Sequence, residues 1–345
     1  MRLIDLALPL RAPFANAASS VDVRRLILVG IEQDGLTGWG EAAPYPGITT
    51  EDVGDVWSAL HQQAELVAKR HLGHLPATAA AAIDQAYEDL AARRQGLPLW
   101  ARVGGSDRRI TATVAIGMEP TPRQTVSKVT EAVERGFRAV KLKIGPGHDS
   151  QFIRAVREAF GDLSLAADAN GGYDLGDSFF DDVDALGLAY LEQPLGAIRL
   201  AEHGLLRERL ETPICLDESM HTSASARQAI DASVADIVCL KPAMLGVRDV
   251  ATLTRIAVAG GIAVKMSGLI ETSVGRSHTL ALASLSGVVH ADLTPPTWFL
   301  SGDVSDHRWR LDDGTIAQHT GIGIGIGIDL DAMAGVIERE ATIRL

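Results

Sequence analysis

The sequence predicts an α/β protein in which a parallel (β/α) barrel lies beside a separate N-terminal α+β domain. From about residue 110, short apolar runs rich in β-branched residues alternate with longer segments of helical periodicity. Strand–helix alternation forces parallel pairing, because each crossover returns the chain in the same direction. Eight such strands suit a closed barrel, and no Gly-x-Gly-x-x-Gly follows the first of them, which disfavours an open doubly wound sheet.

The barrel is predicted to occupy residues 109–305. Its eight strands are predicted at Ile110–Ile116, Arg138–Ile144, Ser164–Asp168, Leu188–Glu192, Pro213–Asp217, Asp236–Lys241, Ile262–Ser267 and Gly287–Leu293. Of the seven helices between them, three stand out by their Ala, Arg and Leu content, at Arg123–Arg135, Ser150–Phe160 and Arg248–Ala259.

Residues 1–108 have a different pattern and are predicted to form the second domain, with the tail 306–345 packing on it. Antiparallel strands are expected at Arg24–Glu32 and Gly38–Glu41, with a turn at Asp34-Gly35, and helices at Thr50–Arg70 and Ala79–Arg94. The tail has one more strand-like stretch and the repetitive run 321–328, which we interpret as an edge strand or a low-complexity loop without a chemical role.

Composition excludes several classes of function. The formal net charge is −12 and no cluster of Lys and Arg stands out, so nucleic-acid binding is disfavoured. No apolar run is long enough for a signal sequence or a membrane span, and we expect a cytoplasmic protein. Two cysteines, Cys215 and Cys239, fit a reducing compartment, and strand alternation points both into the barrel core.

Charged residues end five consecutive predicted strands. They are Lys143, Asp168, Glu192, Asp217 and Lys241, spaced 25, 24, 25 and 24 residues apart, which is one βα unit per step. Reactive groups of parallel barrels gather at the carboxyl ends of the strands, so these five are expected at one mouth. Strands buried on both faces are normally apolar, and charges placed there cost desolvation unless they bind one another or a metal.

The chemistry of these residue types indicates a metal-assisted proton abstraction. Three carboxylates on a rigid frame suit Mg²⁺, with Mn²⁺ as a substitute, and Asp168, Glu192 and Asp217 are the predicted ligands. A lysine beside a divalent cation can act as a general base, and Lys143 is assigned that role, opposite Lys241. Three further residues are expected to support the site or bind substrate: Lys141, on the same strand face as Lys143, and Asn170 and Glu218, which follow two of the ligands.

These motifs resemble the enolase superfamily, in its muconate-lactonizing-enzyme subgroup. The resemblance is carried by Lys-x-Lys, Asp-Ala-Asn, Glu-Gln-Pro, Asp-Glu-Ser and Lys-Pro at the strand ends, and by the segments 38–42 and 82–86 in the N-terminal region. It implies a modified (β/α)₇β TIM-like barrel with an α+β capping domain. It also implies that cap loops, here Pro13–Val21 and Pro44–Thr50, close over a small carboxylate substrate. Relatives of this kind often form dimers or rings, so a homo-oligomer is an open expectation.

The resemblance leaves several reactions open. The runs 240–246 and 267–275 look most like o-succinylbenzoate synthases, which dehydrate 2-succinyl-6-hydroxy-2,4-cyclohexadiene-1-carboxylate through a metal-stabilised enediolate in menaquinone biosynthesis. N-succinylamino-acid racemases, dipeptide epimerases and muconate cycloisomerases share the same groups. Epimerases usually carry Asp-x-Asp on the eighth strand, where this chain has Asp292-Leu293-Thr294. A barrel without activity, used for binding alone, is the alternative from another class.

A carboxylate-binding segment is expected after the seventh strand. Ser267, Gly268 and Ile270 precede a predicted helix, and backbone N–H groups near a helix N-terminus bind anions. These three residues are therefore predicted to bind a substrate carboxylate.

Overall fold

The computed structural model describes residues 1–15 and 20–345, and it confirms the predicted barrel with a separate α+β cap. Eight parallel strands pair in chain order, and an isolated parallel bridge between Ala112 and Ala291 joins the first strand region to the last. These strands are β5 (Thr113–Ile116), β6 (Ala139–Lys143), β7 (Ser164–Asp168), β8 (Leu191–Glu192), β9 (Ile214–Leu216), β10 (Ile237–Leu240), β11 (Ala263–Met266) and β12 (Val288–Ala291). A short strand, β4 (Ile110–Thr111), precedes them and pairs outside the barrel with β13 (Thr315–Ile316).

Among the described residues, a helical segment follows each of the first seven barrel strands. They are α5 (Pro122–Glu134), α6 (Ser150–Ala159), α7 (Phe179–Asp182), α8 (Leu200–Arg209), α9 (Ser223–Ala232), α10 (Pro242–Ala259) and α11 (Ser273–Ala283). The outward faces of the strands pack on these helices in the main core, whereas Cys215 and Cys239 lie in a small cluster inside the barrel. Both cysteines therefore point inward, as strand alternation predicts.

The cap is built from both ends of the chain. Its antiparallel sheet has the order β14-β1-β2-β3, from β1 (Arg2–Ala15), β2 (Ser20–Gln33), β3 (Leu36–Ala42) and β14 (Ile337–Thr342). Its helices are α1 (Val53–Gln62), α2 (Ala64–Ala68), α3 (Ala77–Gln95) and α4 (Leu99–Arg102). The turn at Asp34-Gly35 is confirmed, with φ angles of 55° and 75°.

Two features of the cap differ from the sequence-based prediction. The first strand, Arg2–Ala15, was not predicted, although it pairs with both β2 and β14 and so forms the centre of the sheet. The single helix expected at Thr50–Arg70 is two shorter ones, because the backbone of Gln63 leaves the helical region (φ −110°, ψ 30°). The first of them begins after Asp52, which caps it through a reciprocal bond with Asp55.

The run of alternating Gly and Ile at 321–328 is a loop and not an edge strand. Ile324 and Ile326 are buried, and the N–H of Ile324 donates to the Asp89 carboxylate of α3 at 2.7 Å. Positive φ angles at Gly323 and Gly325 let the chain turn back on itself there. The run thus fixes the tail against the cap. No helix in the described part of the chain is long and apolar enough to cross a membrane.

Candidate active site

Four of the five charged strand ends, Lys143, Asp168, Asp217 and Lys241, line a cavity of about 100 Å³ at the mouth of the barrel. The fifth, Glu192, does not line it and is fully buried beside Lys141. Parallel pairing places Lys143 opposite Asp168, and Asp168 opposite Glu192. Phe14, Tyr45 and Ile48 of the cap also line the cavity. They come from the two segments predicted to close over the substrate, of which residues 16–19 lie outside the described chain.

A larger groove, of about 960 Å³, is lined mainly by residues of the C-terminal tail and includes Trp298 and Trp309. None of the charged strand ends lines it, so size does not identify the reactive site here. The smaller cavity is the candidate active site because it brings the charged residues together.

Lys143 and Lys141 bind carboxylates on neighbouring strands. The Lys143 ammonium donates to Asp168 Oδ2 at 2.7 Å and to Asn170 Oδ1 at 2.9 Å, and its side chain is 12% exposed. The Lys141 ammonium lies 2.8 Å from Glu192 Oε1 and 3.0 Å from Asp168 Oδ2. Burial opposes the charge of Lys141, but its carboxylate neighbours outweigh burial and hold its pKa well above the ordinary value. Lys141 is thus a fixed cation.

Lys241 faces this pair from the sixth strand. Its ammonium contacts the Asp217 carboxylate, and its side chain is almost fully buried. Burial is the main cause that lowers the pKa of Lys241 to about 7, against the attraction of Glu192. In this structure the charge of Lys241 near neutral pH depends on what else occupies the cavity.

The carboxylates offer oxygen ligands to a cation. Ligand atoms of Glu192, Asp217 and Cys239 all lie within 4.8 Å of one another. Burial raises the pKa of the Cys239 thiol well above its ordinary value, so the sulfur stays protonated and is a poor ligand for a hard cation. Asp168 is not part of this group, and its carboxylate binds Lys141 and Lys143.

Asn170 and Glu218 connect these groups. The Asn170 amide donates to Glu218 Oε1 at 2.8 Å while its carbonyl oxygen accepts from Lys143. Burial, followed by the charge of Asp168, raises the pKa of Glu218. Asn170 thereby holds the Lys143 ammonium at a defined position at the cavity wall.

The segment after the seventh strand lies at the cavity, but one of its N–H groups is already used within the chain. Ser267, Gly268 and Ile270 all line the cavity, but the Ser267 N–H donates to the Leu240 carbonyl and is not available to a ligand. The Ile270 carbonyl accepts a hydrogen bond from Arg24.

The N-terminus of α11, the helix that follows this segment, is also occupied. The N–H of Thr272 donates to the Glu41 carboxylate at 3.0 Å, and the N–H of Ser273 donates to Asp303 at 2.8 Å. The chain thus supplies carboxylates to these two N–H groups itself. Gly268 and Ile270 line the cavity, and the carboxylate-binding role assigned to them stays a prediction.

Three residues in or beside the cavity were not assigned from the sequence. Lys265 is fully buried inside the barrel on β11, two residues before Ser267, and its ammonium lies 2.7 Å from Asp292 Oδ2. His221 and Arg276 line the cavity, and the N–H groups of Arg276 bind the Asp292 carbonyl oxygen and Glu271. Lys265 had a visible signal, since a lysine in the middle of a predicted barrel strand requires a partner.

Comparison with known families covers nearly all of the chain. Residues 1–104 match the mandelate racemase / muconate lactonizing enzyme N-terminal domain, and residues 124–332 match the family described as enolase C-terminal domain-like. The two matches correspond to the cap and to the barrel.

Individual relatives are similar over their full lengths. A Geobacillus kaustophilus protein named o-succinylbenzoate synthase is 34% identical over 342 residues, which cover 93% of this chain and 88% of the relative. A Thermus thermophilus protein named N-succinylamino acid racemase is 33% identical over 339 residues, covering 92% and 91%. The crystal structure of an enolase superfamily member from Listeria innocua superimposes with a TM-score of 0.89 at 28% identity, covering 99% and 97%.

Proposed function

The chain belongs to the enolase superfamily of enzymes, and from that membership we propose that it is an o-succinylbenzoate synthase acting in the cytoplasm in menaquinone biosynthesis. The substrate would be 2-succinyl-6-hydroxy-2,4-cyclohexadiene-1-carboxylate. The observation that carries the proposal is the position of Lys143 at the cavity wall beside an array of acidic strand ends. The relative at 34% identity that bears this enzyme's name supports the choice of substrate.

The acidic groups fit a Mg²⁺ ion. Glu192 Oε2 is buried without a hydrogen-bond partner, and Lys265 lies 3.0 Å away but outside hydrogen-bond geometry. An orphaned carboxylate oxygen beside Asp217 is the donor that a hard cation requires. We assign Asp168, Glu192 and Asp217 as ligands, with Mn²⁺ as a substitute. When bound, the ion would draw negative charge from the substrate carboxylate and acidify the adjacent C–H bond.

The lysines then move the protons. Lys143 takes the proton from the carbon next to the ring carboxylate, while Asn170 keeps its amine directed at the cavity. The electron pair of that C–H bond forms a new ring double bond, and the C–O bond to the ring hydroxyl breaks. Protonated Lys143 delivers its proton to the departing hydroxyl, so water leaves and the ring becomes aromatic. Lys141, as a fixed cation, and Lys241 balance the developing negative charge.

The test is loss of diene absorbance with purified protein, substrate and Mg²⁺. We expect rapid loss that requires the metal, and a decrease in kcat of roughly 10²–10⁴-fold or more in Lys143→Ala. Lys128→Ala is the matched control, because Lys128 is an exposed lysine on α5 outside the cavity. No turnover of this substrate by the wild-type protein would refute the synthase assignment, and full activity in Lys143→Ala would refute the assigned base.

Racemisation of N-succinylamino acids is the second candidate. Lys143 and Lys241 line the same cavity from the second and sixth strands, as a two-base exchange requires, and a relative at 33% identity is named for that activity. Lys241→Arg keeps a cation but removes a proton donor of suitable pKa. If this variant loses deuterium exchange at the α-carbon in D₂O with one enantiomer but keeps it with the other, racemisation is favoured. Equal loss from both would count against a two-base mechanism.

A further inference from the structure

Lys265 is a buried cation that the proposed reaction does not use. Its side chain is fully buried inside the barrel, and its ammonium lies 2.7 Å from Asp292 Oδ2 and 3.0 Å from Glu192 Oε2. The Cys239 sulfur lies 3.7 Å from the same nitrogen. A charge placed this deep requires paired neighbours, so Lys265 is built into the acidic cluster.

The partner of Lys265 is the acidic residue that ends the eighth strand. Asp292 lines the cavity, and its Oδ2 accepts from Lys265, from Lys141 at 3.0 Å and from the Ser267 hydroxyl at 2.9 Å. Its second oxygen, Oδ1, has no hydrogen-bond partner among the described residues. A carboxylate at a cavity wall would ordinarily attract a positively charged ligand group. Here two lysines of the chain already neutralise it.

The charges of the mouth support the same conclusion. The site holds four carboxylates (Asp168, Glu192, Asp217 and Asp292) and four lysines (Lys141, Lys143, Lys241 and Lys265), while Glu218 and Arg276 at the cavity add one charge of each sign. Every one of these lysines lies within 3.0 Å of at least one carboxylate. Without Lys265 the carboxylates would be in excess. With all four lysines protonated, a bound divalent cation would give these groups a net charge of about +2, against about +1 without Lys265, so Lys265 favours a ligand that carries two negative charges.

We propose that Lys265 determines specificity by acting as an internal counterion of Asp292, so that the cavity takes dianionic carboxylates and rejects ligands with an α-ammonium group. This inference rests on the proposed function for the metal-bound state of the site. It goes beyond that function because it concerns which charge pattern the cavity accepts, whatever reaction follows.

The test measures binding and not turnover, so it does not depend on the synthase assignment. Calorimetry with saturating Mg²⁺ compares three ligands of matched backbone: N-succinyl-L-alanine (a dianion), N-acetyl-L-alanine (a monoanion) and L-alanyl-L-alanine (with an ammonium group). We expect the wild-type protein to bind the dianion more tightly than the dipeptide by roughly tenfold or more. Lys265→Met, similar in volume but uncharged, should reduce that ratio by roughly tenfold.

Two further variants separate charge from structure. Lys265→Met/Asp292→Asn removes both charges and should restore the preference for the dianion. Asp292→Asn alone leaves Lys265 with Glu192 as its remaining carboxylate neighbour and should increase the preference, which keeps the proposal testable if Lys265→Met does not fold. An unchanged ratio in Lys265→Met, or a ratio that falls in Asp292→Asn, would overturn the proposal. If the binding ratios are as expected but the protein has no dehydratase activity, only the proposed function is refuted.

Discussion

Glu41 joins the cap to the barrel, and its replacement by Gln should change how stability depends on pH. The residue ends a cap strand but its carboxylate is fully buried against the N-terminus of α11. The N–H groups of Thr272 and Gly275 donate to it at 3.0 and 3.1 Å, and the Thr272 hydroxyl donates as well. Burial outweighs these donors and, together with the nearby charge of Glu271, raises the pKa of Glu41 to about 7.

The magnitude follows from the difference in proton binding between the folded and unfolded chain. A carboxyl group whose pKa rises from 4.5 to about 7 on folding adds about 3 kcal/mol of stability below pH 4.5, which is lost as the pH rises through 7. Between pH 5 and 8 the loss should be about 2.5 kcal/mol. Glu41→Gln resembles the protonated form in shape and charge, so the variant should not show this loss.

The pH dependence of the wild-type protein alone cannot isolate Glu41, because histidines act in the opposite direction. Burial lowers the pKa of His148, His203, His221, His278, His290, His307 and His319, and each of them destabilises the fold as the pH falls below about 6.5. The difference in unfolding free energy between wild type and variant cancels their contribution. It is the quantity to measure, by urea denaturation at several pH values.

The matched control is Glu338→Gln, which removes an exposed carboxylate from the last cap strand. We expect the Glu41→Gln variant to gain about 2.5 kcal/mol on the wild type between pH 5 and 8, while the Glu338→Gln variant gains nothing. If the Glu41→Gln and wild-type curves stay parallel, Glu41 is ionised throughout. The donors of the helix N-terminus would then outweigh burial, and the reasoning would be wrong.

Two more outcomes are expected. Gly40→Ala should destabilise the cap by about 3 kcal/mol or more, because the added Cβ would lie 2.0 Å from the Ala82 carbonyl oxygen. The control is Gly73→Ala, which has open space around it and should leave the thermal unfolding temperature nearly unchanged. Asp217→Asn should weaken Mg²⁺ binding at least tenfold, as measured by calorimetry. The control is Asp231→Asn, at an exposed residue. Unchanged Mg²⁺ affinity in Asp217→Asn would remove Asp217 from the ligand set.

Much of the site could be predicted because its signal is periodic. Lys143, Asp168, Glu192, Asp217 and Lys241 repeat at the length of one βα unit, and in a parallel barrel that spacing alone brings them to one mouth. The family resemblance rested on the same residues, and the matches to both domains confirm it. The ligand and base roles of these residues stay predictions until the experiments above are done.

Other features depend on contacts that sequence spacing does not encode. The first strand, Arg2–Ala15, was missed because its partner β14 lies at the other end of the chain. The hydrogen bonds that occupy the N-terminus of α11 could not be predicted, because the carboxylates that accept them, Glu41 and Asp303, come from distant segments. In both cases the local pattern was compatible with the structure, and the outcome was decided by a long-range partner.

The pair of Lys265 and Asp292 shows how a single residue of register decides such a contact. Val264 pairs with Val288, but Lys265 pairs with His290, so Val289 is an extra residue that bulges from the eighth strand and is 50% exposed. Regular pairing would place Lys265 opposite Val289, and alternation would then turn Asp292 to the opposite face of the sheet. The bulge shifts the strand by one residue and brings Asp292 to the face of Lys265, inside the barrel. A lysine within an apolar strand signals that a partner exists, but only the register of the neighbouring strand identifies it.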